Sequence, residues 1–315
     1  MESIGFIGTG VMGMPMAANL LRKGYRLSIV PRHREKEAPL VALGASTAAS
    51  PQELAENTDL IILMLPDTRA VDRALFGDGG VIHGVRRGAT VIDMSTISPS
   101  ETIEFAEKLA AVGCAMLDAP VSGGEKGAAV GTLGIMVGGP RDVFEECRKI
   151  LEALGSTITY TGPSGCGQKT KLVNQLIGAT NLLAVVEGLR LAWAAGLDTE
   201  TTLQALSSGA ASSWMLSNLG VKILQEDFAP GFSIRLQYKD MMLLKDWADG
   251  MGGDFPAVDL VHSLFHKAVE TGLSEQGNQG LINLWSDWQS SSHPDDRLSH
   301  TTRHDCKTST IFSGE

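Results

Sequence analysis

The nine residues GFIGTGVMG, positions 5–13, decide how the first half of the chain is read. GFI belongs to a short apolar run that suits a buried strand. Gly8, Gly10 and Gly13 then follow with the spacing G-x-G-x-x-G, and MPMAANLL continues as a helix. Each glycine has its own task at such a junction. One makes the tight turn, one lets the backbone approach a diphosphate, and one allows the helix to pack closely on the strand. The helix N-terminus adds amide donors and a partial positive charge. The alternative is a glycine-rich turn with no ligand. The strand–turn–helix context favours a dinucleotide loop built from Gly8, Thr9, Gly10, Val11, Met12 and Gly13.

Outward from this loop the pattern alternates. YRLSIV (25–30), DLIILMLP (59–66), ATVIDMST (89–96) and CAMLDAP (114–120) read as strands. PQELAENT (51–58) opens a helix and PSETIEFAEKLAAVG (99–113) is an amphipathic one. GTLGIMVGG, RDVFEECRKILEALG and STITY add strand, helix and strand over residues 131–160. Short apolar strands separated by helices predict a mostly parallel sheet covered on both faces. After about residue 162 the alternation stops, and helices are predicted at 167–195, 199–209, 239–250 and 257–271. The first of these would run about 28 residues, or roughly 42 Å.

The fold expected is therefore α/β: an N-terminal Rossmann-type doubly wound sheet (1–162) followed by an all-α domain (163–289). From residue 290 to 315 the chain is polar and aperiodic and reads as a disordered tail. Its His293, His300 and His304 lack the regular geometry that a metal site needs.

The second strand bears on the cofactor. An acid for a ribose hydroxyl is expected about 20 residues past the glycines. The strand instead ends in Pro31, Arg32, His33, Arg34. Arg32 is placed to make a forked contact with a 2′-phosphate, which favours NADP and leaves NAD as the second choice. The plain alternative is a solvated loop charge. Leu65 and Pro66, at the end of the third strand, would lie along the nucleotide, and Thr96 would sit near the nicotinamide ribose. Ligands of open α/β sheets bind at such strand ends.

Ser122, Gly123 and Gly124 give a hydroxyl and two little-hidden amides, a group able to hold a carboxylate. In GCGQKTKLVNQ (165–175), Lys171 lies one turn into the long helix, with Asn174 and Gln175 on its face at i+3 and i+4. Reduction of a carbonyl needs a proton at oxygen, and a lysine whose pKa is lowered by burial can give it near neutral pH. Lys169, two residues away, faces elsewhere and is expected in solvent. The spacing alone also allows Lys171 to be a surface lysine at a helix start.

Composition narrows the classes. The chain has 315 residues and a net charge of -10, which argues against a broad nucleic-acid surface. Four cysteines, without a CxxC pair or metal spacing, read as reduced thiols in a cytoplasmic protein. No secretory leader is predicted. The apolar stretch 176–193 is broken by Asn181, Glu187 and Arg190 and reads as a buried helix rather than a membrane span.

Five ordered segments, GFIGTGVMGMPMAANL, DMSTISP, DAPVSGGEKGAAVGTLGIMVGG, GCGQKTKLVNQ and GFSIRLQYKD, together resemble the β-hydroxyacid dehydrogenase family. That family includes 3-hydroxyisobutyrate dehydrogenase, tartronate semialdehyde (2-hydroxy-3-oxopropionate) reductase and glyoxylate/succinic semialdehyde reductases, with 6-phosphogluconate dehydrogenase more distant. The resemblance implies that Lys171 is catalytic, that Ser122, Gly123 and Gly124 bind the substrate carboxylate, and that Thr96 serves both cofactor and substrate. It implies a place near the cofactor for Lys239 and near the substrate for Phe232 and Asp240. Many members have two asparagines after the lysine, whereas this chain has Asn174 and Gln175, the form most like tartronate semialdehyde reductases. The expected activity is NADP-dependent interconversion of a short β-hydroxy acid and its semialdehyde. Imine reduction on the same scaffold usually replaces the lysine, and a non-catalytic dinucleotide-binding relative would be expected to lose it. Apolar residues on several faces of LLAVVEGLRLAWAAGL predict a homodimer or homotetramer.

Overall fold

The computed structural model describes residues 3–32 and 34–285. The predicted tail and its histidines lie outside them. In chain order the strands are β1 (Ser3–Ile7), β2 (Arg26–Ile29), β3 (Ser46–Thr47), β4 (Leu60–Leu63), β5 (Thr90–Asp93), β6 (Ala115–Asp118), β7 (Val121–Ser122), β8 (Leu133–Gly138) and β9 (Gly155–Gly162). Between them run α1 (Gly13–Arg22), α2 (Arg34–Ala42), α3 (Pro51–Glu56), α4 (Thr68–Phe76), α5 (Pro99–Ala111), α6 (Gly124–Val130) and α7 (Arg141–Leu151). Then come α8 (Cys166–Ala194), α9 (Thr199–Ser207), α10 (Val221–Leu224), α11 (Ile234–Asp249) and α12 (Pro256–Glu270). A π-helical turn at Met215–Gly220 leads into α10, and a 3-10 segment at Asn278–Leu284 follows α12.

The sheet runs β3-β2-β1-β4-β5-β6-β8-β7, with β9 beside β8. Pairings from β3 to β6 are parallel, β8 is antiparallel to β6 and β7, and β9 is parallel to β8. The strand order reverses at β1, which pairs with β2 on one side and β4 on the other. Open α/β sheets bind ligands in the crevice at such a reversal.

The apolar runs have a physical reason. Ile4, Phe6, Leu60, Ile62 and Ile92 belong to the core on one face of the sheet, while Ile7, Ile61, Leu63 and Val91 belong to the core on the other. A strand buried on both faces has no polar side to show, so LIIL is apolar throughout. The helical half has its own core, including Leu172, Leu182, Val186, Met241, Leu244, Val261 and Phe265.

Sequence and structure differ in places. α11 starts at Ile234, five residues before the expected 239, because Ser233 caps it by accepting from the Leu236 amide at 3.4 Å. α2 carries Pro39 inside it and four charged residues at its start, so no apolar period marks it as a helix. α8 is long and apolar enough to cross a membrane by length and composition. It nevertheless packs against β8, β9, α11 and α12.

Candidate active site

The glycine loop separates what the fold needs from what a ligand would need. Gly8 has φ 103°, and a Cβ there would collide with the Met64 carbonyl at the end of β4. A Cβ at Gly13 would collide with the Gly8 carbonyl. A Cβ at Gly10 would meet no protein atom within 4 Å. Packing therefore asks for glycine at 8 and 13 but not at 10, whereas a diphosphate lying on the loop does ask for it there. The loop residues fit a dinucleotide. Val11 is 67% exposed and Met12 half-buried, on the turn between the strand and α1.

The crevice floor is tied together by Ser95. Its hydroxyl accepts from the Leu65 amide at 2.9 Å, and its own amide donates to Asp93 Oδ1 at 3.1 Å. Asp93 is fully buried, and one of its oxygens has no hydrogen-bond partner among the described residues. Burial pushes its pKa up to about 7, against hydrogen bonds from Ser95 that pull the other way. Pro66 follows Leu65 on the same loop, and Asp67 caps α4 by accepting from the Ala70 amide at 2.8 Å.

Asp118, at the end of β6, fixes the start of α8. It accepts from the backbone amides of Gly165 and Gln168, both at 2.9 Å. A carboxylate at a helix N-terminus satisfies amides that would have no intrahelical partner and meets the positive end of the helix dipole. The glycines of GCG make this approach feasible. Gly165 has φ 85°, and a Cβ at Gly167 would press on the Asp118 and Met136 carbonyls. Burial raises the Asp118 pKa to about 6, opposed by the amides it accepts from.

One turn on, Lys171 is only 6% exposed. Burial lowers its pKa to about 8; Asp240 opposes the shift and Lys239 adds to it. A chain of polar contacts runs past it. Asn174 Nδ2 donates to Gln175 Oε1 at 2.9 Å, and Gln175 Nε2 donates to Asp240 Oδ2 at 2.6 Å. Lys239 Nζ lies 2.8 Å from Asp240 Oδ1, off the direction of a hydrogen bond, and donates to the Thr96 carbonyl at 2.5 Å. Six residues singled out in the sequence (Thr96, Lys171, Asn174, Gln175, Lys239 and Asp240) thus share one neighbourhood at the end of β5. Lys169 is half-buried rather than in open solvent.

Others are placed apart from that chain. Ser122, Gly123 and Gly124 lie between β7 and α6, four to six residues beyond Asp118; both glycines have positive φ, 128° and 60°. Phe232 makes a backbone contact, its carbonyl accepting from the Asn278 amide at 2.9 Å. Arg32 is exposed at the end of β2, and its amide donates to Glu37 at 3.3 Å. Sequence reasoning passed over Gln168, which is fully buried. Its Nε2 donates to the Ser95 carbonyl at 2.8 Å, and its Oε1 accepts from the Ile97 amide at 3.1 Å. The signal was its place between Gly167 and Lys171.

Residues 3–162 match the family model for the NAD binding domain of 6-phosphogluconate dehydrogenase, and residues 165–285 that for the NAD-binding region of NADP-dependent 3-hydroxyisobutyrate dehydrogenase. The 2-hydroxy-3-oxopropionate reductase of Escherichia coli K12 is 41% identical over 279 residues, spanning 89% of this chain and 95% of that protein. The chain belongs to the β-hydroxyacid dehydrogenase family. Two solved structures are similar over nearly their whole length. The Mycobacterium tuberculosis 3-hydroxyisobutyrate dehydrogenase with L-serine has a TM-score of 0.84 and 29% identity, covering 90% of this chain and 99% of that one. A protein described as Psf3, in complex with NADP+ and 2-OPP, has a TM-score of 0.82 and 25% identity, covering 89% and 99%. As a β-hydroxyacid dehydrogenase, the chain is an NAD(P)-dependent oxidoreductase with a nicotinamide dinucleotide as cofactor.

Proposed function

We propose that the protein interconverts a short β-hydroxy acid and its semialdehyde with NADP(H), in the manner of tartronate semialdehyde reductase or 3-hydroxyisobutyrate dehydrogenase. The observation that carries this reading is the burial of Lys171 beside Asp240, with a pKa brought down to about 8. The nicotinamide, when bound, gives a hydride to the carbonyl carbon or takes it back. Lys171 Nζ gives the proton to the carbonyl oxygen in reduction and removes it from the hydroxyl in oxidation. At neutral pH most of the lysine is charged, yet its neutral form lies close enough in energy for both directions to run.

The other residues bind and orient. The Ser122 hydroxyl and the amides of Gly123 and Gly124 hold the substrate carboxylate, supported by the two positive φ angles that turn this backbone. Asn174 and Gln175 hold the substrate oxygen, with Gln175 braced by Asp240. Phe232 lines the substrate side. Lys239 and Thr96 stand at the nicotinamide end, and Arg32 meets the 2′-phosphate. Fixing the reactants in this way supplies much of the rate gain. The tartronate form of the substrate is supported by the 41% identical reductase and by the Asn-Gln pair at 174–175.

The helical half leaves Val173, Ile177, Leu191 and Trp214 between 45% and 71% exposed, which supports a homodimer or homotetramer packed through that half. A cytoplasmic place, with no nucleic-acid or membrane partner, accords with the net charge of -10. The domain division is proposed at residues 162/163 and 289/290.

The test is a kinetic screen of tartronate, methylmalonate and succinic semialdehydes, glyoxylate and a cyclic imine with NADPH and NADH. Turnover of at least one with NADPH is expected. NADPH binding without turnover of any would favour a non-catalytic relative, and turnover of imines alone would favour the imine reductase reading. In the same screen Arg32→Ala should weaken NADPH far more than NADH; equal effects would undo the NADP assignment.

A further inference from the structure

The second strand ends without an acid, yet the fold returns one to the same place. Glu37, in the first turn of α2, is only 3% exposed. Its Oε1 accepts from the Thr9 hydroxyl at 2.9 Å and from the Arg32 amide at 3.3 Å. Thr9 lies inside the glycine loop, and Arg32 is the residue placed to meet a 2′-phosphate. A carboxylate bonded to both sits where the adenosine ribose edge must lie if the loop holds the diphosphate. The acid expected on the strand thus arrives five residues after Arg32, by way of a helix.

We infer that Glu37 is the residue that sets cofactor discrimination, accepting the ribose 2′-hydroxyl of an unphosphorylated dinucleotide and opposing the 2′-phosphate that Arg32 attracts. This rests on the proposed dinucleotide-dependent activity and refines its cofactor choice. A carboxylate has about four acceptor positions, so bonding the two loops is compatible with taking a ribose hydroxyl. The same charge disfavours a doubly charged phosphate, and it does so more strongly where burial weakens screening by water. Preference for NADP over NAD is then the balance between an exposed guanidinium and a buried carboxylate. A purely structural Glu37 would pin Thr9 to Arg32, and its removal would leave the preference unchanged or, by loosening Arg32, weaken NADPH more than NADH.

Direct binding of NADPH and NADH, followed by nicotinamide fluorescence without substrate, separates these roles. Glu37→Gln keeps one oxygen as acceptor for Thr9 and Arg32, removes the charge and replaces the other oxygen by an amide donor. The ratio of the NADH to the NADPH dissociation constant should rise by at least about tenfold, the size of one charge-assisted hydrogen bond. Glu37→Asp keeps the charge but draws it back by one methylene, so it should move the ratio the same way by a smaller factor. This second variant decides the matter if the first does not fold. A ratio that stays within about twofold of the wild type, or that falls, in the folded variants overturns the inference, and lower melting temperatures with such a ratio assign Glu37 to loop bracing alone. If the wild type binds neither dinucleotide, it is the proposed function that falls.

Discussion

The Asp118 carboxylate accepts the Gln168 backbone amide at 2.9 Å, joining the end of β6 to the first turn of the helix that carries Lys171. The same strand end leads within four residues into Ser122 and the loop proposed to hold a carboxylate. One buried acid therefore anchors the first turn of the helix that carries Lys171, four residues before the loop proposed to hold the carboxylate, and the lysine itself has no part in that anchoring.

Lys171→Ala should accordingly keep the fold and the binding of NADPH while turnover drops at least about 100-fold, the low end for a general acid. Steady-state kinetics beside a cofactor titration check this. Near-normal turnover would take Lys171 out of the chemistry.

The pH dependence has a definite sign. Reduction needs charged Lys171, so its kcat/KM should be level below pH about 8 and decline above it. Oxidation needs the neutral amine and should rise through the same pH. A pH series in both directions tests the pair, and parallel profiles would contradict a single shared proton.

The glycine loop offers a contrast. Gly10→Ala meets no protein atom, so the variant should melt like the wild type while binding NADPH at least about tenfold more weakly. Gly8→Ala must hold φ 103° and collide with the Met64 carbonyl, so it should lose stability by more than about 2 kcal/mol. Thermal melting with cofactor titration distinguishes them. Unaltered binding by Gly10→Ala would remove the diphosphate from that residue.

Asp93 makes a stability prediction. Its pKa, raised from 3.8 to about 7, means that the folded chain holds a proton that the unfolded chain gives up. The stability this group contributes is complete below pH about 4 and is lost as the pH climbs towards 7. Asp93→Asn abolishes that dependence, so its advantage in unfolding free energy over the wild type should widen between pH 5 and pH 8 by on the order of 2 kcal/mol. Denaturation at the two pH values measures it; a constant difference would mean that the carboxyl is charged throughout.

Much of this was legible in the residues, for physical reasons. Strands buried on both faces announce themselves as continuous apolar runs, and the long helix showed its length because no proline interrupts it between Cys166 and Ala194. Lys171, Asn174 and Gln175 could be placed on one face by spacing alone. Asp240 and Lys239 could not, since they lie over 60 residues further on and reach the lysine only by the packing of α11 against α8. There the family resemblance supplied what spacing lacked. Glu37 was hidden by Pro39 and the run of charges REKE, which disguise α2 as a loop. Gln168 carries no periodic signal, because what matters about it is which backbone groups it bonds across the fold.

Gln168 and Lys239 grip the loop at 95–97 from two different helices, one by an amide and the other by an ammonium. The two halves of the molecule are therefore not interchangeable parts. A chimera that grafts another member's helices onto this sheet keeps its alignment only if the donor brings both groups to the same two points. The joint behaves as a matched lock, and its fit has to be inherited whole.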